Sequence, residues 1–173
     1  MSEIIFIFGG CRSGKSRHAL ELSGSICGKN RIFIATCLPL DEEIKQRVEC
    51  HQKERGQGWT TIEAPVRLPE AIIENHLKAD VIVVDCLTFW TSNIILETDD
   101  QETIFRHMHS LIQSIKTAQC TVILVANEVG AGIVPDNVLA RRFRDVAGYV
   151  NQNVAACSDK VIWMAAGIPV KIK

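Results

Sequence analysis

The apolar positions of this chain follow two spacings in turn. Short, nearly continuous apolar runs rich in valine and isoleucine begin at Ile4 and recur at Arg31–Thr36, Val81–Val84, Thr121–Ala126, Val161–Ala165 and Ile168–Ile172. Such runs, bounded by turn residues, read as strands buried on both faces. Between them the apolar residues fall at spacings of three and four, as on one face of a helix. Helices are therefore predicted from Ser16 to about Cys27, from Asp41 through Ile44, Val48 and His51, and from Pro69 to about Lys78. Further helices are predicted over Thr88–Leu96, along Ile104, Met108, Leu111, Ile112 and Ile115, and along Leu139, Phe143, Val146 and Val150. Asp41 and Asp136 read as N-caps, and Pro69 suits a first helical turn. Trp59–Glu63 reads as a further short strand, closed by Pro65.

Strand and helix alternate without repeats or linkers, so the expected fold is α/β, a three-layer sandwich around a mostly parallel sheet. Gly167 leaves too few residues between the last two runs for a parallel crossover, so the final strand is expected to be antiparallel. The 173 residues suit one domain spanning 1–173, and 47% of them are hydrophobic, enough for a substantial core. A net charge of −1 gives no basic excess for nucleic acid. No apolar stretch is long enough to span a bilayer. The seven cysteines are scattered, with no C-x-x-C pair, which argues against a disulfide framework or a zinc site and for a cytoplasmic home. The N-terminus reads as a core strand and not as a signal peptide.

The densest chemistry follows the first strand. Gly9, Gly10, Cys11, Arg12, Ser13, Gly14, Lys15 and Ser16 spell G-x-x-x-x-G-K-S, the phosphate loop, in its required place between strand and helix. Glycines let the backbone curl so that N–H groups converge on an anion, and the helix dipole adds to them. Lys15 can reach the β- and γ-phosphates, and Ser16 can offer a hydroxyl to Mg²⁺. Asp85, directly after an apolar strand, fits the carboxylate that orients Mg²⁺. Ala35, Thr36 and Cys37 end the second strand at the edge where parallel sheets place ligands. Spacing alone leaves His51 open as a packing residue, a surface residue or a nucleophile. Cys50 beside it points elsewhere on the helix, and His107 and His109, two apart, do not face one another. Arg141, Arg142 and Arg144 decorate the last helix, where they can be solvated, face phosphate or meet a neighbouring subunit.

Six segments together resemble one family. They are GGCRSGKSRHA (Gly9–Ala19), IATC (Ile34–Cys37), RVECHQKER (Arg47–Arg55), VVDCLT (Val83–Thr88), NEVGAGIVPDNVLARRFRDVAGYVNQ (Asn127–Gln152) and GIPVKIK (Gly167–Lys173). In this order they look like the bifunctional adenosylcobinamide kinase / adenosylcobinamide-phosphate guanylyltransferase family. The likeness spans essentially the whole chain, and the Asn127–Gln152 segment is far more specific than the phosphate loop. Cys11 stands where alanine is usual and Cys37 where serine is common; neither change removes a charge or a backbone donor.

The resemblance implies a RecA-like P-loop fold and two reactions on one cobalamin (vitamin B12) precursor. ATP or GTP phosphorylates adenosylcobinamide, and GMP from GTP then passes through a histidine to the phosphorylated product, giving adenosyl-GDP-cobinamide. The implied histidine is His51, inside an intact R-[IV]-x-x-H-x-x-x-R segment. The implied nucleotide contacts are Gly9–Ser16, Ala35–Cys37, Gln52, Lys53, Glu54, Arg55, Glu63 and Asp85, with Ser16 and Asp85 at Mg²⁺. A homotrimer with sites between subunits is implied as well. Two other classes fit a phosphate loop by itself: another small-molecule kinase that uses only the γ-phosphate, and a non-catalytic nucleotide-binding module.

Overall fold

The computed structural model describes residues 2–26, 28–38 and 58–173, and its apolar runs form one seven-stranded sheet. The helix expected from Asp41 through His51 lies outside these residues. The described elements are β1 (Ile4–Gly9), α1 (Lys15–Gly24), β2 (Arg31–Ala35), β3 (Trp59–Glu63), α2 (Leu68–Asn75), β4 (Val81–Asp85), α3 (Leu87–Glu97), α4 (Gln101–Thr117), β5 (Thr121–Asn127), α5 (Val138–Cys157), β6 (Lys160–Ala165) and β7 (Ile168–Lys171). The strands lie in the order β3-β2-β4-β5-β1-β6-β7. Every pairing from β3 to β6 is parallel, and only β6–β7 is antiparallel.

The strand alternation sorts the core into two layers. Phe6, Ile34, Val84 and Leu124 face one side, packed with Leu68, Trp90, Leu111 and Val154 from α2 to α5. Ile5, Ile7, Val83 and Val125 face the other, where Ala19 of α1 covers them. Burial on both faces is why these strands read as unbroken apolar runs. Trp90 anchors the thicker layer: it is 1% exposed, and its indole N–H donates to the Val66 carbonyl at 2.9 Å.

The helix ends follow local chemistry. Asp100 caps α4, accepting from the Thr103 N–H at 3.0 Å. Bonds from the Thr103 hydroxyl and N–H hold the Asp100 carboxyl below the usual carboxylate range. The cap of α5 is Asn137, which accepts from the Ala140 N–H at 3.1 Å, and not Asp136. Leu139, expected on the buried stripe, is 48% exposed, and burial falls on Ala147, Val150 and Val154. The final hairpin turns through Ala166 and Gly167, at φ 51° and 83°, the positive pair that a two-residue turn needs.

Gly9 closes β1 at φ 155°, and a Cβ there would sit 2.4 Å from the Met164 carbonyl oxygen of β6. Gly9→Ala should therefore lower unfolding free energy by about 1–3 kcal/mol in urea titrations. Gly24→Ala, in open space at the end of α1, should raise it by about 0.5–1 kcal/mol.

Candidate active site

Parallel pairing brings the ends of the strands to one edge. Glu63, Ala35, Asp85 and Val125 share one row across β3, β2, β4 and β5, and Gly9 pairs with Asn127 two residues beyond Val125. The phosphate loop leaves this edge from Gly9. Positive φ at Arg12 (54°) and Gly14 (92°) curls it. The Ser13 N–H closes back on the Gly10 carbonyl at 3.3 Å. No side chain caps the start of α1 and no acid lies in its first turn, so its N-terminal N–H groups stay available to an anion.

Lys15 is folded into this loop and is 7% exposed. Its ammonium donates to the Gly10 carbonyl at 2.6 Å and to the Ser13 hydroxyl at 3.4 Å. Burial pulls its pKa below the ordinary lysine value, while Cys86, Asp85 and Cys11 oppose that pull. A desolvated ammonium of this kind favours the approach of opposite charge. Gly10, Cys11 and Arg12 are exposed, Ser13 is buried, and Ser16 is half-buried in the first turn of α1. The β6–β7 hairpin braces the loop from behind, with the Gly167 N–H donating to the Ser13 carbonyl at 3.0 Å.

Beside the loop, Asp85 is half-buried at the end of β4. Thr36 holds the backbone that follows it. Its hydroxyl donates to the Cys86 carbonyl at 2.6 Å and accepts from the Cys86 N–H at 2.8 Å. Asn93 of α3 then donates to the carbonyls of Thr36 and Pro65, at 2.9 and 2.8 Å. One buried network thus ties together the chain beyond β2, β3 and β4. Thr36 is wholly buried, so its hydroxyl serves this network. Cys37 is half-buried one residue on, and Glu63 is exposed at the end of β3. The structure thus gathers the phosphate loop, Ala35–Cys37, Glu63 and Asp85 along one sheet edge. His51, Gln52, Lys53, Glu54 and Arg55 lie outside the described residues.

On the other flank, the Glu128 N–H donates to the Gly9 carbonyl at 2.9 Å. The Glu128 carboxylate accepts from the N–H groups of Gly130 and Ala131, at 2.5 and 3.1 Å. The Asn127 N–H donates to the Thr88 hydroxyl at 2.7 Å. Sequence reasoning did not find the Thr36–Cys86–Asn93 network. Its one trace was a polar residue at the end of an apolar run and another inside an apolar helix. Asp85 and the loop Lys15 carry the oxygen and ammonium groups suited to phosphates and a hard divalent cation. Among the described residues no cluster of three or more His, Cys, Asp or Glu side chains forms a metal cage.

Residues 5–172 match the family described as cobinamide kinase / cobinamide phosphate guanyltransferase. The chain is 39% identical to the bifunctional adenosylcobalamin biosynthesis protein CobU of Escherichia coli, covering 98% of this chain and 99% of that protein. It is 35% identical to the corresponding protein CobP of Pseudomonas aeruginosa, over 96% and 95% of the two chains. Among solved structures, an ATPase from a bacterial type III secretion system superposes with a TM-score of 0.62 at 12% identity, covering 98% of this chain and 56% of that one. A KaiC-like protein of Pyrococcus horikoshii superposes at 0.51 with 14% identity, over 93% and 70%. These likenesses identify the fold as that of RecA-like P-loop ATPases.

Thr36→Val removes both hydrogen bonds to the Cys86 peptide in a dry site. It should cost about 1–3 kcal/mol in chemical denaturation. Burial, with Asp85 nearby, pushes the Cys86 thiol up to about 12, whereas Cys11 is exposed on the loop. Iodoacetamide at pH 8, read by peptide mass mapping, should label Cys11 and leave Cys86 unmodified, since burial both shields the Cys86 thiol and keeps it protonated. Nucleotide should protect Cys11.

Proposed function

The chain belongs to the cobinamide kinase / cobinamide phosphate guanyltransferase family, and from that premise we propose that its single domain performs both reactions at the carboxyl edge of the sheet, with His51 as the GMP carrier. The observation that supports this most is the pairing of a curled, lysine-bearing anion loop with Asp85 on the adjoining edge, in a chain that matches the family from residue 5 to 172.

In the first reaction the hydroxyl of the aminopropanol arm of adenosylcobinamide attacks the γ-phosphorus of ATP or GTP. The bond to the β-phosphate oxygen breaks, the nucleoside diphosphate leaves, and the hydroxyl proton is released. The loop N–H groups and Lys15 spread the charge that develops, because phosphoryl transfer depends mostly on positioning and electrostatics. In the second reaction the neutral imidazole of His51 attacks the α-phosphorus of GTP. A P–N bond forms and pyrophosphate leaves. A phosphate oxygen of the phosphorylated cobinamide then attacks that phosphorus, the P–N bond breaks and the imidazole is regenerated.

Asp85 and Ser16 are the groups we assign to Mg²⁺. Their donors are oxygens, and the absence of a multi-residue cage among the described residues suits an ion held by one or two protein oxygens plus phosphates and water. The ion would neutralise charge on the phosphates. We further propose a homotrimer in the cytoplasm. The free thiols of Cys11, Cys86, Cys120 and Cys157 suit a reducing compartment. Among the described residues no helix is long and apolar enough to cross a membrane.

Incubation with α-labelled GTP and Mg²⁺ should leave acid-labile GMP on one peptide, the one containing His51. His51→Ala should reduce that label by at least about 10³-fold. Label persisting on the variant would reassign the nucleophile, and label from γ- but never α-labelled nucleotide would leave only a kinase. Asp85→Asn should move the midpoint of a Mg²⁺ titration up by about tenfold and slow both steps. An unchanged midpoint would remove Asp85 from the metal site.

A further inference from the structure

A cavity of about 760 Å³ opens between α4 and α5. Arg141, Arg142 and Arg144 line it, with Asp99 and Asp145 as the carboxylates among its lining residues. The three arginines occupy the first two turns of α5, beside the positive end of the helix dipole, and no acid lies in its first turn. Cations at that end of a helix are disfavoured unless an anion joins them.

Among the described residues their hydrogen bonds offset this charge only in part. Arg142 pairs with Asp99, whose side chain is 98% exposed, and also donates to the Asp99 carbonyl at 2.6 Å. Among the described residues Arg141 donates only to backbone, to the Pro135 and Asp136 carbonyls at 3.0 and 2.6 Å. Arg144 donates from Nη2 to the Gly130 carbonyl at 2.6 Å, while its Nη1 is covered and has no hydrogen-bond partner among the described residues. A covered N–H without an acceptor is costly, and a phosphate oxygen met through a shift of the Arg144 side chain would satisfy it.

The cavity adjoins the candidate active site through a short chain of contacts. Gly130, which Arg144 grips, follows Glu128, whose N–H is bonded to the Gly9 carbonyl at the root of the phosphate loop. From the helix side, the Asn151 side chain donates to the Asn127 carbonyl at 3.4 Å. The rest of the wall is partly apolar: Phe105 meets Tyr149 edge to face at 6.2 Å, with Ile104 and Val146 alongside, and Gln101 and Gln152 also line it.

We propose that this cavity is a second anion site, in which Arg144 and Arg141 receive the phosphomonoester of phosphorylated cobinamide and present it for guanylyl transfer. This rests on the two-reaction reading above and adds the residues that recognise its second substrate. The nucleotide has its own cradle with its own lysine. The phosphorylated cobinamide brings a further phosphate together with a bulky organic body, which matches arginines beside aromatic and aliphatic side chains. The same arginines would hold the kinase product in place for the following step.

Equilibrium dialysis tests this on the full-length protein, with cobinamide and cobinamide phosphate read by visible absorbance and GTP, as a separate probe, by ultraviolet absorbance. Wild-type protein should bind cobinamide phosphate about tenfold or more tightly than cobinamide. Arg144→Gln should erase that preference, with GTP affinity changed by less than about twofold. Arg144→Lys keeps the charge but loses the planar fork, and should retain part of the preference; it also serves if the glutamine variant does not fold. The inference is overturned if wild-type protein binds both corrinoids equally while still taking α-label from GTP. It is also overturned if the arginine variants weaken both corrinoids alike, or weaken GTP by the same factor, which would assign the arginines to the nucleotide. Wild-type protein that binds neither corrinoid and takes no α-label would instead refute the two-reaction reading itself.

Discussion

Parallel hydrogen-bonded ladders set the level of every strand end in this protein, and the chemistry depends on that level. β1, β5, β4, β2 and β3 run the same way, in a register that puts Asp85 in line with Ala35, Glu63 and Val125. A slip of one residue in any of these ladders would exchange the residues packed in the two core layers, such as Phe6 and Leu124 on one face for Ile7 and Val125 on the other. Burial on both faces therefore fixes the register, and the register fixes where Asp85 stands relative to the phosphate loop. The candidate site is a consequence of core packing two residues away from it.

Polar groups at that edge are then held by a second, smaller set of bonds. Thr36, Asn93 and the Cys86 peptide form a buried network in which each donor finds an acceptor. Such a network is stabilising when complete and costly when broken. It fixes the backbone beyond β2, β3 and β4. The β6–β7 hairpin supports the opposite side through Gly167 and Ser13. The G-x-x-x-x-G-K-S loop is thus backed by the sheet on one side and by the hairpin on another, while its own Lys15 occupies the Gly10 carbonyl.

Beyond the loop, positive charge extends along α5. Arg144 holds the Gly130 carbonyl, and the Glu128 N–H two residues before it holds the Gly9 carbonyl at the root of the loop that carries Lys15. This distribution suits a family whose substrates are nucleotides and a phosphorylated corrinoid, since each reaction moves a phosphorus centre. Net charge gave no sign of it: at −1 for the whole chain, local cationic surface is balanced by acids elsewhere.

Much of the fold was legible in the chain itself. Continuous apolar runs marked strands buried on both faces, the short Gly167 connection required the antiparallel finish, and the G-x-x-x-x-G-K-S spacing located the anion loop, because each of these depends only on neighbours in sequence. Helix starts were less secure. Asp136 and Asn137 are both good caps, and the structure uses the second; Leu139, at the start of the apolar pattern, stands in solvent because the core ends short of it. Strand order, the network joining Thr36 to Asn93 across 57 positions, and the cavity between α4 and α5 belonged wholly to tertiary structure. Local sequence dictates which backbone conformations and which faces are favourable. It does not dictate which distant groups meet, because that is decided by the collective burial of the whole sheet.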